Sequence, residues 1–255
     1  QIESIEFGNW FDAVRFFLPQ TAVCELTTPY RSDSVALLNV WNDVRKMNGD
    51  IYYLLQTYGY STDLDKSIFA PAREGEVVLC LNYGGLYGIN NINHFLQESN
   101  TGKAIWRGIQ RYKVGDPILF NDASDKFFTR TEEQLPVIHN NMTGRIVDFL
   151  LLNEGKATEG IQFDIEIDRP LIDMDMKDMD FTIVGTAANG NSIIRFVVNK
   201  NKTTDEDDEG PSKAIVPFQI AYAVSIHKAQ GLEYDHVKII ITDEIDELIT
   251  HSIFY

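Results

Sequence analysis

The strongest constraint on the fold is a continuous apolar run, EVVLCLN at residues 76–82, which is followed by the helical pattern NNINHFLQ. A strand that is apolar on both sides has to be covered on both sides, as the strands of parallel sheets are. Two upstream segments, FGNWFDAVRFFL and SDSVALLNVWNDVRKM, also place apolar residues at helical spacing, and Ser32 is available to cap the second. This alternation predicts an open α/β sheet with helices packed beside it.

The middle of the chain shows a different pattern. Five short strand patterns follow one another there: DPILF, GRIVDFLLL, IQFDIEID, DFTIVG and SIIRFVV. Turn residues separate them, including Asn140–Asn141, Gly155, Gly160 and the segment ANGN. We therefore predict a small, mostly antiparallel, barrel-like β domain at residues 109–212, inserted into an α/β domain made of residues 1–108 and 213–255.

The charge balance is strongly acidic. The chain has 255 residues, with 38 acidic and 22 basic side chains, so its net charge is −16. Part of this charge lies in TTDEDDEG at residues 203–210, which we expect to be a solvated loop. The balance argues against a broad nucleic-acid-binding face, but it does not decide the sign of any one cleft.

Two further features of the sequence bear on the cellular compartment of the protein. No apolar run approaches the ~20 residues that a membrane-spanning helix needs. The two cysteines, Cys24 and Cys80, lie in strand-like apolar contexts. We expect both to be reduced core residues of a cytoplasmic protein.

Several common motifs are absent from the sequence. There is no G-x-x-x-x-G-K-[ST] phosphate loop, no H-E-x-x-H, no paired C-x-x-C and no G-x-S-x-G. The segment GGLYG at residues 84–88 is a weak candidate for a dinucleotide loop. The segment DMDMKDMD at residues 173–180 lacks the sixth-position Gly and twelfth-position Glu of a calcium loop, so we interpret it as a solvated acidic edge.

One segment, SIHKAQGLEYD at residues 225–235, crowds several polar side chains beside an apolar strand. A strand that ends in a turn explains Gly231 and the apolar flanks, but it does not explain the polar cluster. The segment closely resembles motif V of superfamily 1 helicases. UvrD-type members carry T-x-H-x-A-K-G-L-E-F there and RecD-type members carry T-x-H-K-S-Q-G, so this chain combines features of both.

Other segments resemble helicase motifs in the family order. LTTPYRS at residues 26–32 resembles motif IV, with Pro29 in place of the usual Asn. Gly115-Asp116 and the NNMTGRI segment resemble strands of the RecD-type β insert. The first residues, QIESIEF, resemble the end of motif III, and HSIFY resembles the approach to motif VI.

The resemblance implies the second RecA-like domain of a helicase motor with its inserted β domain. It further implies that the parent protein uses ATP and Mg²⁺, that single-stranded DNA is its partner, and that the first RecA-like domain lies outside this chain. Arg31 would reach the γ-phosphate and act as the catalytic residue. Nucleotide-side or coupling roles are implied for Gln1, Tyr30, Gln230, Gly231 and Glu233, and strand contacts for Ser225, His227 and Lys228.

Three further expectations complete the sequence-based interpretation. Without a phosphate loop, this chain alone should hydrolyse essentially no ATP. One alternative is a non-catalytic interaction module on a helicase-like scaffold. Another is a hydrolase that pairs His227 with Asp235 or Glu233, although no convincing nucleophile accompanies them.

Overall fold

The computed structural model describes residues 10–24, 28, 32–46, 51–60, 66–70, 73–121, 137–156, 159–171, 179–199 and 215–242. It shows a mixed α/β protein that divides into two compact units. One unit comprises residues 1–68 and 241–255, and the other comprises residues 69–240. The domain boundaries predicted at 108/109 and 212/213 differ from the limits of these two units, and they stay a prediction. No helix in these ranges has both the length and the apolar character needed to cross a bilayer.

The described part of the first unit is helical. Its main elements are α1 (Trp10–Phe17), α2 (Val35–Arg45) and α3 (Ile51–Thr57). The predicted cap of α2 is wrong by two positions. The Ser34 hydroxyl accepts the Leu37 amide at 3.4 Å, while the Ser32 hydroxyl accepts the amide of Ser34 at 3.1 Å. Ser32 thus stabilises the turn before the helix, because only the residue directly preceding α2 can bond its first free amides.

The second unit contains all the described strands and two helices. In chain order these are β1 (Glu76–Cys80), α4 (Ile89–Glu98), β2 (Ala104–Arg107), β3 (Gln110–Lys113), β4 (Pro117–Phe120), β5 (Thr143–Leu152), β6 (Gly160–Ile167), β7 (Thr182–Thr186), β8 (Ser192–Asn199), β9 (Phe218–Ile220), β10 (Ala223–Ser225), α5 (Ile226–Ala229) and β11 (His236–Ile239).

The apolar run at residues 76–82 forms the centre of a parallel sheet, as predicted. Strand β1 lies between β10 and β11 and pairs with both in parallel. Val77, Val78 and Cys80 are buried, whereas Cys24, which was also expected in the core, is exposed. Helix α4 follows β1, so the predicted succession of strand and helix is also confirmed.

All five strand patterns in the middle of the chain are strands of one antiparallel sheet, with the order β7-β8-β6-β5-β4-β9. An aromatic cluster fills its core, and the rings of Phe163 and Phe218 meet edge to face with centroids 5.2 Å apart. Gly160, predicted as a turn residue, instead begins β6. Closure of this sheet into a barrel stays a prediction.

A buried carboxylate connects the two sheets. Asp116 is fully buried at the start of β4, and each of its oxygens accepts two hydrogen bonds. The donors come from Gln97 and Asn100 at the end of α4, from the Lys113 amide, and from the Tyr222 hydroxyl between β9 and β10. This cluster fixes the point at which the chain passes from the antiparallel sheet into the parallel one.

Candidate nucleic-acid interface

The turn that resembles motif V begins at the carboxyl end of β10. Ser225 is the last residue of that strand, and its side-chain oxygen accepts the Lys228 amide at 3.2 Å, which caps α5. Ser225 is buried, and by capping α5 it fixes the conformation of the turn. His227, two residues later, is exposed. The structure therefore brings Ser225, His227 and Lys228 together on one short turn at the edge of the sheet.

The Lys228 side chain lies between two other segments. Its ammonium donates to Gln219 Oε1 on β9 at 2.9 Å and lies 6.0 Å from the ring centroid of Tyr83, which follows β1. The Lys228 side chain is half-buried and hydrogen-bonded, so it is not a fully solvated lysine. The ammonium is held at the edge where β1 and β10 end.

Beyond the turn the chain runs back along the sheet. Gly231 has a φ of +88°, which Gly adopts without strain, and this allows the reversal after α5. Leu232 and Tyr234 then pack against the buried cluster around Val77, and Glu233 between them is exposed. Burial raises the pKa of Tyr234 to about 12. Glu233 is thus on the returning segment, while Gln230 and Gly231, both exposed, form the reversal itself.

The position of Asp235 argues against a hydrolytic pair with His227. The Asp235 carboxylate lies against Gly75, just before β1, where a Cβ atom would come within 2.3 Å of Oδ2. Gly75 marks the amino end of the parallel sheet, whereas His227 follows the carboxyl end of β10. The two side chains are therefore at opposite ends of the sheet, so the His227–Asp235 form of the hydrolase hypothesis loses its geometric basis.

The first amides of helix α4, which follows GGLYG, are not available to a phosphate. Gly88 donates to the Gly85 carbonyl, Ile89 to that of Asn82 and Asn90 to that of Tyr83. A phosphate needs such groups to be free.

The structure does not describe the other residues that were predicted to bind the nucleotide. Gln1, Tyr30 and Arg31 lie outside the described residues. Within the described ranges no group of three or more His, Cys, Asp or Glu side chains could hold a metal ion.

Three residues of this region were not singled out from the sequence. Asn93 on α4 bonds both backbone groups of Ala223, at 2.8 and 2.9 Å, and so covers the outer edge of β10. Gln219 positions Lys228, and Tyr83 is the aromatic side chain beside it. An aromatic directly after a buried strand is a usable sequence signal for Tyr83. Gln219 has no such signal, because its contact depends on how two sheets meet.

Two of the segments that build this edge contain no acidic residue. Residues 81–97 and 215–232 have no Asp or Glu, although the chain as a whole has 38 acids. They do contain Lys228 and the exposed His94 and His227. Segments without carboxylates in an acidic protein favour a negatively charged ligand, because they add no repulsion to that of nearby acids such as Glu233.

No protein-family model matches the chain, and no curated protein matches it either. Three solved structures are similar to it at 14% identity. They are the Pif1 helicase from Candida albicans (TM-score 0.45, covering 81% of this chain and 47% of that chain), Bacteroides sp Pif1 in complex with ADP-AlF4 (0.38, 86% and 45%) and unliganded Bacteroides sp Pif1 (0.34, 86% and 46%). The chain thus spans slightly under half the length of each of these proteins.

Proposed function

We propose that this chain is the C-terminal motor part of an ATP-dependent DNA helicase of superfamily 1, and that it supplies part of the track for single-stranded DNA. The observation that supports this most is the turn after β10. The segment whose sequence resembles motif V lies at the carboxyl edge of a parallel sheet, which is where ligands of open α/β sheets bind.

The residues of that turn suit a nucleic-acid backbone. The Lys228 ammonium can donate a hydrogen bond to a phosphate oxygen, and His227 is exposed beside it. The absence of acids from residues 81–97 and 215–232 lowers the local repulsion of a phosphate, against a net charge of −16 for the whole chain.

The nucleotide side of the proposal rests on sequence resemblance alone. Arg31 as the catalytic residue, Gln1 and Tyr30 beside it, and Gln230, Gly231 and Glu233 as coupling residues remain predictions. So do the RecA-like fold, the barrel-like insert, the UvrD- or RecD-like subtype, the use of ATP and Mg²⁺, a first RecA-like domain as partner and a cytoplasmic location. When bound, ATP would supply the phosphoryl group whose hydrolysis powers movement along the strand.

Strand binding by the 255-residue chain is the test of the proposed function. Fluorescence anisotropy of a labelled oligothymidylate, measured over a series of salt concentrations, should show weak binding that decreases as salt increases. The Lys228→Gln variant should bind more weakly. The slope of log K against log salt should become shallower by about 0.7, the value for one phosphate contact on a single strand.

A matched control is Lys156→Gln, because Lys156 is an exposed lysine in the turn after β5. It should leave affinity and slope unchanged. No detectable binding at low salt, or equal effects of the two lysine substitutions, would contradict the assignment of this edge to the strand.

A further inference from the structure

Tyr83 is an exposed aromatic side chain at the edge described above. It follows β1 by three residues, and 45% of its surface is accessible although it adjoins a buried strand. An aromatic ring left open beside a polar turn has the properties of a stacking surface.

The loop that carries Tyr83 is fixed by backbone bonds. The Tyr83 carbonyl accepts the Asn90 amide at 3.2 Å, and the Asn82 carbonyl accepts the Ile89 amide at 3.0 Å. The Asn82 side-chain amide donates to the Gly84 carbonyl at 2.8 Å. A Cβ atom at Gly88 would lie 2.0 Å from the Gly84 carbonyl oxygen, so the loop closes tightly on itself. Little backbone freedom is therefore left to lose when a ligand binds to the ring.

The ring and the Lys228 ammonium form a pair. They are 6.0 Å apart, and Gln219 holds the ammonium on the side of β9. A ring has two faces, and one ammonium can cover only one of them. A nucleotide offers the two matching groups, which are a flat base to stack on the ring and a phosphate to meet the ammonium.

We infer that Tyr83 stacks on a base of the single strand while Lys228 contacts the adjoining phosphate, with Gln219 as a positioning residue for that ammonium. This inference rests on the proposed function and names a base-binding residue for it. Stacking on a ring is indifferent to base identity, so the contact would not select a sequence.

The experiment compares two strands and three variants of Tyr83. Anisotropy titrations at low salt use a labelled oligothymidylate and an abasic strand with the same number of phosphates. We expect the natural chain to bind the abasic strand roughly 5- to 100-fold more weakly, the range for loss of one stacked base. Tyr83→Ala and Tyr83→Leu should bind both strands equally, and Tyr83→Phe should behave like the natural chain.

Two controls separate the possible causes. Tyr53→Ala, which removes another exposed tyrosine, on α3, should leave the preference for the strand with bases intact. The salt slope should be unchanged in Tyr83→Ala, since a ring neutralises no phosphate, and lower in Lys228→Gln. Circular dichroism establishes that each variant is folded, and the comparison of the two strands on the natural chain requires no variant.

The results distinguish this inference from the proposed function. If the natural chain binds both strands equally, or if Tyr83→Leu keeps the preference, the stacking role is wrong while strand binding stands. If no strand binds at any salt concentration, both fail.

Discussion

At the scale of single residues, Asp116 stands out as a buried carboxylate with four hydrogen bonds. Its carboxylate is fully buried and accepts hydrogen bonds of 2.5 Å from Gln97, 2.7 Å from Asn100 and 2.9 Å from Tyr222. A buried carboxylate is tolerated only when its oxygens are satisfied in this way. Asp116, which the sequence comparison with the β insert singled out, therefore has a structural role, because its hydrogen bonds join α4 to both sheets.

We expect Asp116→Asn to lower the free energy of unfolding by about 2–4 kcal/mol, because the amide turns a donor toward groups that are themselves donors. Urea denaturation followed by circular dichroism measures this. Asp148→Asn is the matched control. That carboxylate is exposed and pairs with Lys103 at 3.2 Å, so its loss should cost less than about 1 kcal/mol. Equal costs for the two substitutions would show that Asp116 does not hold the junction.

At the scale of secondary-structure elements, α4 supports the strand that leads into the candidate site. Strand β10 is an edge strand, and the Asn93 amide takes the place of a further strand by bonding Ala223 on both backbone groups. Such an edge would otherwise expose unpaired groups. The three-residue β10 is thus held from both sides immediately before Ser225.

Asn93→Ala should leave the Ala223 amide and carbonyl without this partner, at a cost of about 1–3 kcal/mol. Hydrogen exchange measured by mass spectrometry should show faster exchange in peptides that cover β10. Asn90→Ala on the same helix removes an exposed side chain and should not change exchange there. Unchanged protection of β10 in Asn93→Ala would mean that the strand is stable without α4.

The helices and strands were more predictable from the sequence than the contacts between them. The five middle strands and β1 follow from local apolar patterns, which reflect burial on one face or on both. The helix cap was misplaced because Ser32 and Ser34 are chemically alike, and only the backbone decides which of them precedes the first turn. The contact of Lys228 with Gln219 arises where two sheets meet, which no local pattern encodes.

The candidate site was predicted in part for the same reason. Ser225, His227 and Lys228 are close in sequence, so their shared turn follows from a short segment. Tyr83 joins them only because β1 and β10 are neighbours in the parallel sheet, although about 140 residues separate them in the chain. Tyr30 and Arg31, to which the resemblance gives nucleotide-side roles, lie outside the described ranges.

At the scale of the molecule, several groups of the second unit resist ionisation. Burial raises the pKa of Tyr112 and that of the Cys80 thiol to about 12 each, as it does for Tyr234. The pKa of Tyr222 is raised further, first by burial and then by the adjacent Asp116 charge. All four groups lie within residues 69–240, so the folded unit keeps protons that an unfolded chain would release.

This difference in pKa gives the direction of the pH dependence. The folded pKa values lie above the unfolded ones, which are 9.0 for a thiol and 10.0 for a tyrosine, so the stabilisation is complete below about pH 9. It decreases as pH rises from there toward 12, by about 1.4 kcal/mol per pH unit for each group that ionises only in the unfolded state.

We therefore expect cooperative alkaline unfolding. Exposed tyrosines such as Tyr53 form tyrosinate first, and a further step of tyrosinate absorbance should accompany the loss of circular dichroism. Tyr234→Phe should make the free energy of unfolding less dependent on pH between 10 and 12, whereas Tyr53→Phe, which changes an exposed tyrosine, should not. Tyrosinate absorbance that reaches its full amplitude near pH 10 while the fold persists would mean that the hydroxyls of Tyr112, Tyr222 and Tyr234 are open to solvent.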